Sequence, residues 1–176
     1  MSFTNDVAVL PEVSINELQL TAVSPKFRVI NISINLIWTI IVLLGIFLVD
    51  TGLFFETNEW MANNRVWLYA IVAFLGLWAV TYHVFADPII QYAVREQDLH
   101  FQAGLFFRKL VSQPILRVQH IELKRGPIER KAGLATLQVF SAGGGSHTFE
   151  IPGLDYETAI SLRKFIINHK DLSIDE

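Results

Sequence analysis

Two uninterrupted apolar runs dominate the first half of the chain. From Val29 to Val49 the sequence VINISINLIWTIIVLLGIFLV carries no charge. At 1.5 Å per residue such a run spans about 31 Å, the thickness of a bilayer's hydrocarbon core. Arg28 and Asp50 bracket it. The second run, VWLYAIVAFLGLWAVTYHVF from Val66 to Phe85, lies between Arg65 and Asp87 and contains one ionisable group, His83. A single run of this kind suits the core helix of a soluble domain, but two in 176 residues predict transmembrane helices. The pattern divides the first half into an N-terminal segment 1–28, a span 29–49, a loop 50–65 and a span 66–85. A cleaved leader needs a basic start and an apolar stretch of roughly 7–15 residues, so the first span is expected to be retained.

Lys26 and Arg28 precede the first span, whereas Asp50, Glu56 and Glu59 follow it with one basic residue, Arg65. Basic residues favour the cytoplasmic side, which predicts an external loop and cytoplasmic termini. Trp60 and Trp67 fall near the outer interface and Tyr82 near the inner one, where amphipathic rings anchor. Asn31, Asn35, Trp38, Val42 and Gly45 recur at helical spacing. That face is predicted to pack against Gly76, Ala79 and His83 of the second span, since amides and small residues join helices in lipid. Intramembrane polar groups also line transport paths, but two amides and one His are too few for a conduit.

After Asp87-Pro88 the period falls to about two. Ile89 to Arg95 reads as a strand, Glu96-Gln97-Asp98 as a turn, and Leu99, Phe101 and Ala103 as the inward face of a second strand. Gly104 permits a bend before LFFRKLVSQ, a segment that Pro114 ends; Arg117 to Arg125 alternates again, with Ile121 and Leu123 on one face. Ala135, Leu137 and Val139 share a face, Gly143-Gly144-Gly145 makes a turn, and His147, Phe149 and Ile151 return. Asp155 is a candidate N-cap for the helix YETAISLRKFIINHK, with Tyr156, Ala159, Leu162 and Ile166 as its buried stripe. Six or seven antiparallel strands closed by one helix, over residues 88–170 with a short tail 171–176, make an α+β domain.

The stretch from Tyr92 to Ile166 resembles the bacterial pleckstrin-homology-like domain family (domain of unknown function 304) in its YdbS-like two-span membrane form. The resemblance is carried by Ile115-Leu116-Arg117-Val118-Gln119, by the run Gly126-Pro127-Ile128-Glu129-Arg130-Lys131-Ala132-Gly133-Leu134-Ala135-Thr136-Leu137, and by the Ala-Gly-Gly turn. It implies a PH-like antiparallel β-barrel or sandwich capped by the C-terminal α-helix. It also implies company: such proteins often accompany a larger membrane protein with further PH-like domains, so a complex or self-association is expected. The superfold hosts lipid binding, peptide binding and scaffolding, so it does not by itself choose a function.

Composition narrows the chemistry. With 14 basic and 17 acidic residues the net charge of −3 gives no global attraction to nucleic acid, and no cysteine is present for disulfides, thiolate catalysis or zinc. No phosphate-binding Gly-Lys-Ser/Thr loop and no His-Glu-x-x-His occurs. The five histidines are scattered at spacings that suit no zinc site, with His100 and His120 expected exposed or half-buried; Ser141, Ser146 and His147 lack an elbow motif and an orienting third group. No catalytic residue, metal or cofactor is therefore expected.

One local feature stands out. Between Arg108 and Lys131 lie seven basic residues (Arg108, Lys109, Arg117, Lys124, Arg125, Arg130, Lys131) against Glu122 and Glu129. On a tethered domain such a segment suits anionic lipid, or it is a solvated strand face whose charges keep edges from aggregating. Arg117, Arg125 and Arg130 have a third use, pairing with Glu122 or Glu129. Phe106 and Phe107, adjacent in a predicted strand, must place at least one ring outside the core, toward a partner or into the bilayer beside the second span. The first reading is a non-catalytic membrane-anchored module for protein assembly at the bacterial cytoplasmic membrane. The alternatives are an anionic-lipid sensor and an accessory subunit of a membrane enzyme or transporter.

Overall fold

The structure, a computed structural model, describes residues 19–52, 59–141 and 149–172, the last four by backbone alone. The Gly143–Gly145 turn, Ser146 and His147 fall outside the described residues.

A two-residue strand β1 (Thr21–Ala22) leads through Ser24 into helix α1 (Pro25–Asp50). Pro25 suits this start because its missing N–H has no partner in a first turn. Helix α2 (Glu59–Ala86) runs beside α1 and begins earlier than its apolar stretch suggests, since the residues from Glu59 continue the same helix. The apolar window of α1 is 0% buried by protein and that of α2 6%, so neither helix packs as the core helix of the domain that follows. Pro88 then imposes a 3-10 turn, Asp87–Ile89, so the next strand starts later than the alternation predicts.

That strand, β2 (Gln91–Val94), forms an antiparallel sheet with β3 (Asp98–Ala103) and β4 (Lys109–Pro114), in the order β1-β2-β3-β4. β1 adds from across the two spans, pairing Thr21 with Tyr92 and Ala22 with Gln91. A second sheet has the order β5-β6-β7: β5 (Val118–Lys124), β6 (Leu134–Ser141) and β7 (Phe149–Asp155). Neither sheet closes on the other through β4 and β5, so the expected barrel or sandwich is realised as two open sheets face to face. The stacked rings of Phe101 and Phe149, 5.7 Å between centroids, join them.

The predicted inward residues form the core. Leu99, Leu137, Val139 and Ile151 are fully buried, with Ile115, Leu134, Leu154 and Ile166 around them. Helix α4 (Tyr156–Leu172) closes one side, burying Ala159 and Ile166 and packing Tyr156 and Leu162 against the cluster. Between β5 and β6 the structure places a short helix, α3 (Pro127–Ala132), that alternation did not signal. The local chemistry is complete: Pro127 opens it, the Gly126 N–H donates to Glu129 Oε2 at 2.6 Å, and Gly133 ends it at φ 73°.

A Cβ built on Gly133 meets nothing within 4 Å among the described residues, so the cost of a side chain there is a backbone cost. Gly133→Val is expected to lower the unfolding free energy of the full chain in detergent by about 1–2 kcal/mol, and Gly133→Asn by roughly half as much. Denaturant titration checks this. Equal losses in the two variants contradict a backbone origin.

Candidate membrane-facing surface

One end of the sandwich is fastened to the start of α1. The Ser24 N–H donates to the Gly153 carbonyl at 2.9 Å, and Ser24 Oγ donates to Asp155 Oδ1 at 3.3 Å. Lys26 Nζ approaches the same carboxylate at 3.5 Å, an exposed pair of small worth. Gly153, at φ 67°, lies so close to Phe27 that a Cβ would stand 2.5 Å from the ring. Asp155 pairs in register with Leu134, so the connection β5–α3–β6 shares this end.

A second fastening joins both spans to the domain. Asp87 is 5% exposed, and a buried carboxylate requires partners. Asn31 Nδ2 donates to its Oδ2 at 3.0 Å, and His83 Nδ1 lies 3.0 Å from its Oδ1. Two of the intramembrane polar residues thus meet the aspartate that ends the second apolar run. Asn35 instead donates to the Asn31 carbonyl of its own helix at 3.0 Å. A close helix contact falls at Gly76, where a Cβ would lie 2.6 Å from Thr39 Oγ1. The expectation for Gly45 is corrected: among the described residues it is exposed and a Cβ there meets nothing within 4 Å, because the close approach falls at Thr39, one to two turns nearer the domain.

The basic segment does not form one patch. Arg117 precedes β5 and Lys124 ends it, so a strand of 7 residues, about 20 Å, separates them. Arg117 belongs to the far end, where the Ile115 N–H bonds Gln97 O. Arg125 is not a free ligand either: its Nε donates to the Leu134 carbonyl at 2.9 Å and its guanidinium stacks 3.8 Å from the centroid of the Tyr156 ring. Glu129, the supposed partner of the arginines, accepts from Gly126 N and from Thr136 Oγ1 at 2.8 Å. Glu122 bonds His120 at 3.0 Å. Lys124, Arg130 and Lys131 are exposed, and all three stand at the α1 end of the sandwich.

Phe106 and Phe107 are not strand residues. They occupy the loop between β3 and β4, and both rings point out, at 73% and 92% exposure. Leu105 and Phe106 line a groove with Trp78, Tyr82 and Phe85 of α2, so this loop too lies at the membrane end.

His100, expected exposed or half-buried, is buried. Its Nδ1 shares a 2.7 Å hydrogen bond with Ser112 Oγ, and its Nε2 has no partner among the described residues. Burial holds its pKa below the usual value, Asp98 opposing and Arg95 assisting. Burial, reinforced by Asp155, raises that of Tyr92. Among the described residues no group of three or more His, Asp or Glu side chains gathers as a metal site.

Two bilayer-length helices leading into two antiparallel sheets and a capping helix define a membrane-tethered PH-like domain. The chain belongs to the bacterial PH domain family, whose model matches residues 29–170. It is 29% identical over 115 residues to the UPF0699 transmembrane protein YdbS of Bacillus subtilis (strain 168), covering 64% of this chain and 68% of that one. It is 27% identical over 101 residues to the UPF0699 transmembrane protein YdbT of the same organism, 54% of this chain but only 20% of that longer protein. No solved structure matches the chain.

The His100 geometry gives a pH prediction. Its folded pKa is depressed, so the unfolded chain takes up the proton first as pH falls. The stability it contributes is present above about pH 6.5 and is lost progressively below it. In thermal melts of the full chain in detergent between about pH 7.5 and 5, His100→Gln is expected to flatten part of the fall in Tm. An unchanged fall assigns the proton uptake to other groups.

Proposed function

We propose that the protein is a non-catalytic module that holds a PH-like domain against the cytoplasmic leaflet and reads anionic lipid headgroups there. The observation that supports it best is the position of exposed Lys124, Arg130 and Lys131 at the end of the sandwich bonded to α1. Lys26 and Arg28 begin α1 at the same end, and exposed Arg108 and Lys109 follow Phe107 where the loop beside α2 ends. Each Lys or Arg at an anionic surface contributes about 1 kcal/mol, so three together amount to roughly a hundredfold in affinity.

Assembly with another PH-like membrane protein, or with a second copy, is the other reading, and a different feature favours it. Among the described residues β5 is the edge of its sheet, and between it and α4 lies a cleft of about 240 Å³ lined by Val118, His120, Ile121, Arg163, Ile166 and Ile167. An added strand with an apolar side chain in that cleft fits such an edge.

Native mass spectrometry of the full chain, released from nanodiscs of mixed phosphatidylglycerol and phosphatidylcholine, separates the two readings. The parent is expected to retain phosphatidylglycerol preferentially, and the triple change of Lys124, Arg130 and Lys131 to Gln to weaken that retention by about a hundredfold, with Arg125 left in place for its structural role. Equal retention of both lipids by the parent rejects the headgroup reading.

Orientation is checked in intact cells. With no native cysteine to interfere, Asn63→Cys is expected to react with an impermeant thiol reagent and Lys124→Cys to stay unlabelled. The reverse pattern inverts the topology.

A further inference from the structure

We infer that the β3–β4 loop is a third membrane element, with Phe106 and Phe107 inserted among lipid acyl chains beside α2. The inference needs only that the two helices span a bilayer; it does not depend on the headgroup reading, because the contact is apolar.

The loop is built to project its tip. Gly104 takes φ +104°, and a Cβ there would collide with the Phe107 carbonyl, so the chain folds back in a way open to glycine alone. Both rings then leave the domain, at 73% and 92% exposure, though adjacent aromatics are costly to leave in water. Their surroundings name the occupant. The groove of about 140 Å³ behind Phe106 is lined by Leu105 and by Trp78, Thr81, Tyr82 and Phe85 of α2. Trp78 and Phe85, 60% exposed each, lie in the second apolar span, so the loop continues a surface that already faces lipid. Phe85 is one residue from the end of α2, which sets the loop at the level where acyl chains meet headgroups. Arg108 and Lys109 follow at once and are exposed, the order expected where an apolar tip dips in and cations stay at the phosphates. A protein partner would have to displace lipid from α2 to cover the same groove.

The absence of native cysteine makes spin labelling direct. The full chain is reconstituted in phosphatidylcholine nanodiscs with a nitroxide at Phe107→Cys, with Leu77→Cys as a lipid-facing control and Glu122→Cys as an aqueous one. Collision with oxygen, enriched in acyl chains, is compared with collision with a water-soluble nickel chelate. The label at 107 is expected to resemble that at 77, with the oxygen-to-nickel ratio several-fold above that at 122. A ratio like that at 122 overturns the inference by leaving the loop in water. Protection from both reagents overturns it by showing a second copy over the loop. A second arm keeps both phenylalanines and labels Lys109→Cys: adding Phe106→Asp and Phe107→Asp should then raise nickel access at 109 several-fold, and no change also overturns the inference. Because phosphatidylcholine carries no net charge, loss of the headgroup preference leaves this result untouched.

Discussion

A backbone hydrogen bond from Ser24 to Gly153, with the Phe27 ring pressed against the glycine, couples the membrane helices to the folded domain. Any side chain at Gly153 would break the fit, since its φ of 67° suits glycine and the Cβ position is already occupied by Phe27. The consequence is directional. Only Val23 and Ser24 separate β1 from Pro25, the first residue of α1, so little slack separates sheet and span, and the end of β7 is held beside the start of α1. Lys124, Arg130, Lys131 and the loop of Phe106 and Phe107 share that end of the sandwich, so this one junction sets where they stand relative to the spans.

Asp87 makes the coupling two-sided. A lone carboxylate buried at the foot of a span would be strongly unfavourable, yet Asn31 from α1 and His83 from α2 both reach it. The cluster therefore ties the first span to the second at the same level where the domain begins. Higher in the bilayer the contact passes to Thr39 and Gly76, whose smallness lets the backbones approach. Polar residues near the domain and a small residue farther along thus hold one helix pair by different means.

Much of the architecture was legible because its signals are periodic. Uncharged runs from Val29 and Val66 mark the helices, and alternation marks Leu99, Leu137, Val139 and Ile151 as core. Contacts between distant segments were not legible. β1 has only two residues, too short for any pattern, and is a strand only because Tyr92 and Gln91 stand opposite. Arg125 reads as one more surface cation, and its stacking on Tyr156 follows from the α3 turn, which alternation does not encode. Phe106 and Phe107 look like strand residues until Gly104 is seen to break the strand ahead of them. Arg117 and Lys124 are neighbours in sequence, but the strand between them carries its two ends apart.

A domain held this way needs little affinity of its own. A free lipid-binding domain must offset the loss of its translational and rotational freedom before any headgroup contact appears as binding. Here the two helices have already removed that freedom, so on the headgroup reading the local concentration of lipid at Lys124, Arg130 and Lys131 would be set by geometry rather than by diffusion. Weak contacts of about 1 kcal/mol per cation are then enough to choose among lipids, though they would be too weak to recruit the domain. The same economy applies to the edge strand β5, where a partner confined to the membrane meets a fixed orientation and a short strand addition suffices. Under either reading, selection among neighbours already present in the bilayer, rather than capture from solution, is the work this architecture suits.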